Sequence, residues 1–162
     1  TPYYQSYLKY IPAGADLLSL IKEQALAGQQ FIASIPKDKE DYAYAQGKWT
    51  VKEVIGHLCD TERILSYRAL CFSRNDNTPL PGFDENHYTP NSNYASRSLK
   101  NIAEEFAAVR QSSIALFTNM SADMFERKGT ANGNPYTARH MLFFIIGHEL
   151  HHLGVLKERY LK

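Results

Sequence analysis

The sequence is short of most features that would point to a membrane, to nucleic acid or to a disulfide scaffold. No apolar run approaches the ~20 residues that span a bilayer as a helix, and no N-terminal signal peptide is visible in a chain that begins at Thr1. Charge of one sign is also lacking: 18 Lys and Arg stand against 17 Asp and Glu, a net charge of +1. With local runs short and mixed in sign, neither nucleic acid nor an anionic membrane surface is expected as a partner. Cysteine is scarce. Cys59 and Cys71 are the only two, and both fall inside one helical pattern, twelve positions apart. At helical rise that is roughly 18 Å, too far for a disulfide between them. Two free thiols suit a reducing cytoplasm. Strand signals are poor. No Asn-Gly pair joins two alternating runs, and Asn132-Gly133 reads as a turn before the last helix. Internal repeats and low-complexity tracts are missing too.

What is present is helical periodicity. A chain of 162 residues can bury a core as one domain over 1–162 without help from disulfides. The first helix is expected from about Ala15 to Ile35, with Leu17, Leu18, Ile21, Ala25, Ile32 and Ile35 at helical spacing and Pro36 as the stop. The second runs from about Val51 to Ser73 behind a capping box, Thr50 and Glu53. The third runs from about Leu99 to Asn119 after Ser98 as N-cap. The fourth runs from about Ala138 to Tyr160 after Thr137. Four helices of this length predict an all-α four-helix bundle. The connection from about Arg74 to Arg97 is long and carries Pro79, Pro81, Gly82 and Pro90. A segment of that length is a crossover or a functional loop, and it allows the second and third helices to run parallel.

The chemistry lies in the histidines. Of six, three crowd the fourth helix in Gly147-His148-Glu149-Leu150-His151-His152. Residues four apart share a helix face, so His148 and His152 present two imidazoles to one point and continue the stripe of Met141, Ile145 and Val155. Two imidazoles in a core must stay neutral and find donors, or share a cation. Spacing alone leaves His151 open as an alternative partner of His148, since i+3 also fits. His57, in the middle of the second helix, is the best third ligand, because mid-helix residues on separate helices of a bundle converge. Three neutral His ligands leave a coordination position open, the pattern of a catalytic site. Glu53, Thr61 or Glu149 are candidates to hold the ring N–H groups. His140 and His87 are expected at the surface.

His148-Glu149-Leu150-His151-His152 also spells H-E-x-x-H, the zinc-peptidase pattern in which the Glu is general base. The reading is weak here. Only ten residues follow His152 and none is His, while Val155 and Glu158 stand where a metzincin extension needs Gly and His.

Three stretches resemble one family in the right order. Gly47-Lys48-Trp49-Thr50 through His57-Leu58-Cys59-Asp60 is similar to the G-x-W-[ST]-x-x-[EQ]-x-x-x-H-[LIV]-x-[DE] signature of the DinB/YfiT-like superfamily. Asp84-Glu85-Asn86-His87-Tyr88 is similar to its D-E-x-x-[WY] loop, and His148 through His152 to its closing H-x-x-H-H helix. The resemblance implies a four-helix bundle in which His57, His148 and His152 hold one divalent metal ion, Ni, Zn, Fe or Mn, with His151 left out. It also implies a homodimer, and an enzyme that acts with a low-molecular-weight thiol, as the bacillithiol and mycothiol transferases do.

Three functions follow as expectations. The first is a metal-dependent thiol S-transferase acting on a small-molecule substrate, in which the cation lowers the pKa of a thiol. The second is a metal-dependent hydrolase with Glu149 as base. The third is a non-catalytic dimeric interaction module with a structural or vestigial site. Glu149 and Glu53 are the candidate catalytic groups. In the loop from Asp76 to Ser96, Asp84, Glu85 and Tyr88, with Tyr94, are candidates to roof the metal and bind substrate.

Overall fold

The computed structural model describes residues 3–162. Each long helix starts where a side chain satisfies backbone donors that have no partner inside the helix. Asp16 accepts from the Leu18 and Ser19 N–H groups ahead of α1 (Leu17–Ala33). At α2 (Val51–Ser73) the capping box forms as expected: Thr50 accepts from the Glu53 N–H at 3.2 Å and Glu53 accepts from the Thr50 N–H at 2.8 Å. After the short α3 (Glu85–Tyr88), Ser98 caps α4 (Leu99–Thr118). A one-turn α5 (Ala122–Glu126) follows. The last helix, α6 (Ala138–Val155), runs on through a π-helical turn over Leu156–Tyr160. Its capping box pairs Thr137 with His140, whose Nδ1 accepts from the Thr137 N–H at 3.0 Å. Such a cap is worth about 1 kcal/mol.

The long helices α1, α2, α4 and α6 form the four-helix bundle. Both α1 and α2 pack on α4 and α6, so α1 sits diagonally from α2, and α4 from α6. Glu62 meets Arg110 and Ser66 meets Ser113, which makes α2 and α4 parallel. Gln24 meets the Ile146 carbonyl, and a Cβ on Gly28 would meet Glu149, which makes α1 and α6 parallel as well. The 74–97 crossover is what permits this arrangement.

The core has two apolar halves. One gathers Ile21, Phe72, Phe117, Met141 and Ile146; the other gathers Ile32, Val51, Ile55, Ile102, Phe106 and Leu156. Burying each such side chain contributes about 1.5–3 kcal/mol. Between the halves lies a polar layer. Arg110 is fully buried on α4, makes a two-pronged ion pair with Glu62 of α2 at 2.8 Å for each bond, and also bonds Glu149 of α6.

One expectation is corrected. Asn132-Gly133 does close a β-hairpin, with β1 (Lys128–Ala131) antiparallel to β2 (Asn134–Thr137). Both turn residues have positive φ, 50° and 74°, which a two-residue hairpin turn of this kind requires and Asn-Gly supplies. The strands carry no alternating apolar pattern. Tertiary contacts hold them: Phe72 packs against Gly129 with no room for a side chain there, and Leu80 of the crossover exchanges backbone hydrogen bonds with Thr130 and Asn132. Cys59 and Cys71 are free and buried. Among the described residues no helix is long and apolar enough to cross a membrane.

Candidate metal centre

Three imidazoles meet between α2 and α6. His57 comes from the middle of α2, and His148 and His152 from consecutive turns of α6. One ring nitrogen from each lies within 4.8 Å of the others. The Nε2 atoms of His57 and His148 are 2.9 Å apart, and His152 faces both rings at centroid distances of 4.9 and 4.5 Å. His57 and His148 are buried and His152 is half-buried. Burial holds the His57 imidazole down to about 4 and His152 to about 3, and it pushes His148 well below its ordinary value. All three rings are therefore neutral at pH 7, each with one nitrogen lone pair to offer.

This donor set fits a divalent cation. Tetrahedral metal–nitrogen bonds place ligand nitrogens about 3.4 Å apart, so small ring adjustments accommodate an ion. Without one, the cluster has few ways to satisfy three neutral rings. His57 Nδ1 has Thr61 Oγ1 at 3.5 Å, a distance at the limit of a hydrogen bond. Trp49 covers the outer side of His57, ring to ring at 4.8 Å.

The residues expected around the cluster divide. His151 stands beside it with Nδ1 3.4 Å from the Tyr10 hydroxyl, outside the three-nitrogen group. His140 is exposed and serves its helix cap, and His87 is exposed on α3. Glu149, expected as a base or ring-holding group, points elsewhere. One residue beyond His148, it is turned about 100° around the helix, and its carboxylate is buried against Arg110. Burial raises its pKa, with Arg110 opposing. Glu53 is taken up by its helix cap. Of the loop candidates, Glu85 lines the cavity described next. Asp84 instead caps α3 through the Asn86 N–H, and Tyr88 packs on Phe83. Tyr94 is buried against Gly56 and donates to Asp60 at 2.7 Å.

The histidines open into a cavity of about 780 Å³. Its walls come from α2 (Thr61, Leu65, Arg68), the crossover (Gly82, Phe83, Glu85), the hairpin (Asn132, Asn134, Pro135, Tyr136) and Tyr7. Sequence reasoning missed the hairpin wall and Arg68. Arg68 does carry a signal: positions 57, 61, 65 and 68 follow the 4-4-3 spacing of one helix face. Neither cysteine lines the cavity.

Residues 27–156 match the sequence profile of the DinB superfamily. No protein with a curated description matches the chain. Among solved structures, YfiT from Bacillus subtilis, described as a probable metal-dependent hydrolase with an unusual four-helix bundle topology, is similar. It superposes with a TM-score of 0.75 at 17% identity, over 91% of this chain and 89% of that one. A mycothiol-dependent maleylpyruvate isomerase gives 0.71 at 13% identity, over 85% of this chain but 58% of that one. A DinB-like protein from Bacillus subtilis, YjoA, gives 0.61 at 17% identity, over 87% and 86%. Identities this low speak for the fold alone.

Proposed function

The chain belongs to the DinB superfamily, and from that premise we propose that it is a metal-dependent enzyme of thiol S-transferase type, with His57, His148 and His152 as the ligands. One observation carries the reading: three neutral imidazoles converge at a cavity large enough for a small molecule, while the candidate bases Glu53 and Glu149 are engaged elsewhere. A bound divalent cation, of nickel, zinc, iron or manganese type, would supply Lewis acidity that brings a thiol's pKa toward neutrality. Nucleophile activation of that kind needs no protein carboxylate.

The chain's own residues then have defined tasks. His57, His148 and His152 donate lone pairs and stay unprotonated because they are buried. Thr61 orients the His57 ring, and Trp49 screens it from water. Leu65, Phe83 and Phe144 offer an apolar wall to the electrophile. Both cysteines are buried outside the cavity, and burial raises the Cys59 thiol's pKa, so the thiol comes from a co-substrate.

The test is turnover of a low-molecular-weight thiol with an electrophile by protein loaded with each metal in turn, beside His148→Ala. Thiol-dependent turnover that His148→Ala abolishes is expected. Activity surviving that substitution overturns the reading. Cleavage of esters or amides without thiol would replace it with hydrolysis, the description YfiT carries.

A further inference from the structure

Among the described residues three cationic side chains are nine-tenths or more buried: Lys52, Arg68 and Arg110. Two of them have carboxylate partners. Lys52 pairs with Asp41 at 2.6 Å, and Arg110 with Glu62 and Glu149. Arg68 has none among the described residues. Only 9% exposed, it makes one hydrogen bond, from Nη2 to the Pro81 carbonyl at 2.8 Å, and its guanidinium lies 6.0 Å from the Phe83 ring. A guanidinium has five N–H donors and keeps its charge throughout the accessible pH range. Burying it without a counter-ion is costly.

Arg68 lines the same cavity as the histidines, and also the groove beside it under Pro81 and Tyr88. Arg68 stands eleven residues after His57 on α2, roughly 16 Å along the helix axis. The His57 and Arg68 side chains both lean toward the N-terminus of α2, so the span between their heads stays on the order of 15 Å. The wall between them is apolar at Leu65, with Phe83 and Phe144 alongside. Among the described residues Glu85 is the only carboxylate that lines the cavity; it is exposed and makes no ion pair with Arg68.

We infer that Arg68 is an anion-binding subsite, and that the cavity takes an elongated small molecule with a carboxylate distal to the end that meets the histidines. One guanidinium matches one carboxylate in charge and in its two-pronged geometry; a phosphate dianion asks for a second cationic side chain, and among the described residues no other Lys or Arg lines the cavity. The inference rests on the proposed use of this cavity and assigns its second end. The thiol co-substrate, or the electrophile joined to it, carries the acid.

The experiment separates this subsite from the metal chemistry. Metal-free protein is titrated with octanoate and with octanamide, and binding is read by calorimetry. Octanoate is expected to bind about tenfold or more tightly than the amide. Arg68→Gln removes the charge, and, ending two bonds short of Nη2, also gives up the hydrogen bond to Pro81; it is expected to erase that preference, while Arg68→Lys keeps part of it. Circular dichroism confirms that both variants fold. Equal binding of acid and amide by the parent overturns the inference whatever the variants do, and so does a preference that survives Arg68→Gln. If the preference holds while metal-loaded protein shows no thiol-dependent turnover, the subsite stands and the proposed reaction falls.

Discussion

Arg110→Met is the most telling perturbation of the fold. Arg110 is fully buried and bonds two carboxylates, Glu62 and Glu149, themselves 4% and 2% exposed. Methionine replaces its volume but not its charge, and leaves two buried acids without a counter-ion. Removing one partner of a buried ion pair costs about 3–5 kcal/mol, a large part of the 5–15 kcal/mol that holds a typical domain together. For a chain of this size each kcal/mol moves Tm by about 2–4 °C, so the variant is expected to melt about 6–20 °C below the parent at pH 7. The pH dependence follows in sign. Burial already raises the Glu149 carboxyl despite Arg110, and without the guanidinium it rises further. An acid with a raised folded pKa holds its proton more tightly folded than unfolded. Its penalty is therefore small below the unfolded value near 4.3 and grows as the pH climbs above it. Thermal melts of parent and variant from pH 4.5 to 7.5 should diverge with rising pH. A variant melting within about 2 °C of the parent at pH 7, or a gap that does not change with pH, would refute the reasoning.

Glu149→Gln tests the same layer from its other side. It keeps the shape and leaves the two-pronged Glu62–Arg110 pair intact, so about 1 kcal/mol or less of stability is expected to go, with thiol-dependent turnover unchanged; a loss of about 100-fold or more would mark Glu149 as a base after all. Saturating metal at about 100 times its Kd should stabilise the protein by about 2.7 kcal/mol, a rise of several degrees in Tm. A chelator should reverse that rise, and the His57→Ala, His148→Ala double variant should show none of it, with elemental analysis reading metal content in parallel. Gly56→Ala puts a methyl group into the Tyr94 ring and is expected to cost about 1–3 kcal/mol by overpacking, measured by urea unfolding; a neutral result would mean the crossover shifts freely on α2.

The local signals were legible because local physics produces them. Thr50 with Glu53, Ser98 and Thr137 cap the helices the sequence predicts, because a cap depends on residues three apart and nothing more distant. The pairing of His148 with His152 follows from helical spacing, and the amphipathic stripes follow from the same period. What spacing could not decide was settled by packing between elements. His57 completes the histidine group because α2 and α6 cross at that level, and His151 is left to Tyr10. Glu149 follows His148 by one residue yet faces the opposite chemistry, since a 100° step turns it into the polar layer with Arg110. The hairpin escaped notice because its strands of four residues each bury too little to declare themselves, and they exist by leaning on Phe72 and Leu80. The cavity is likewise a product of assembly: its walls come from α2, the crossover and the hairpin, segments far apart in sequence. Sequence by itself determined the four long helices and the kind of ligand atoms on offer, through contacts within a few residues. Only the tertiary structure decided which side chains share a site and which are taken up in holding the bundle together, because that depends on distances between helices that no local pattern encodes.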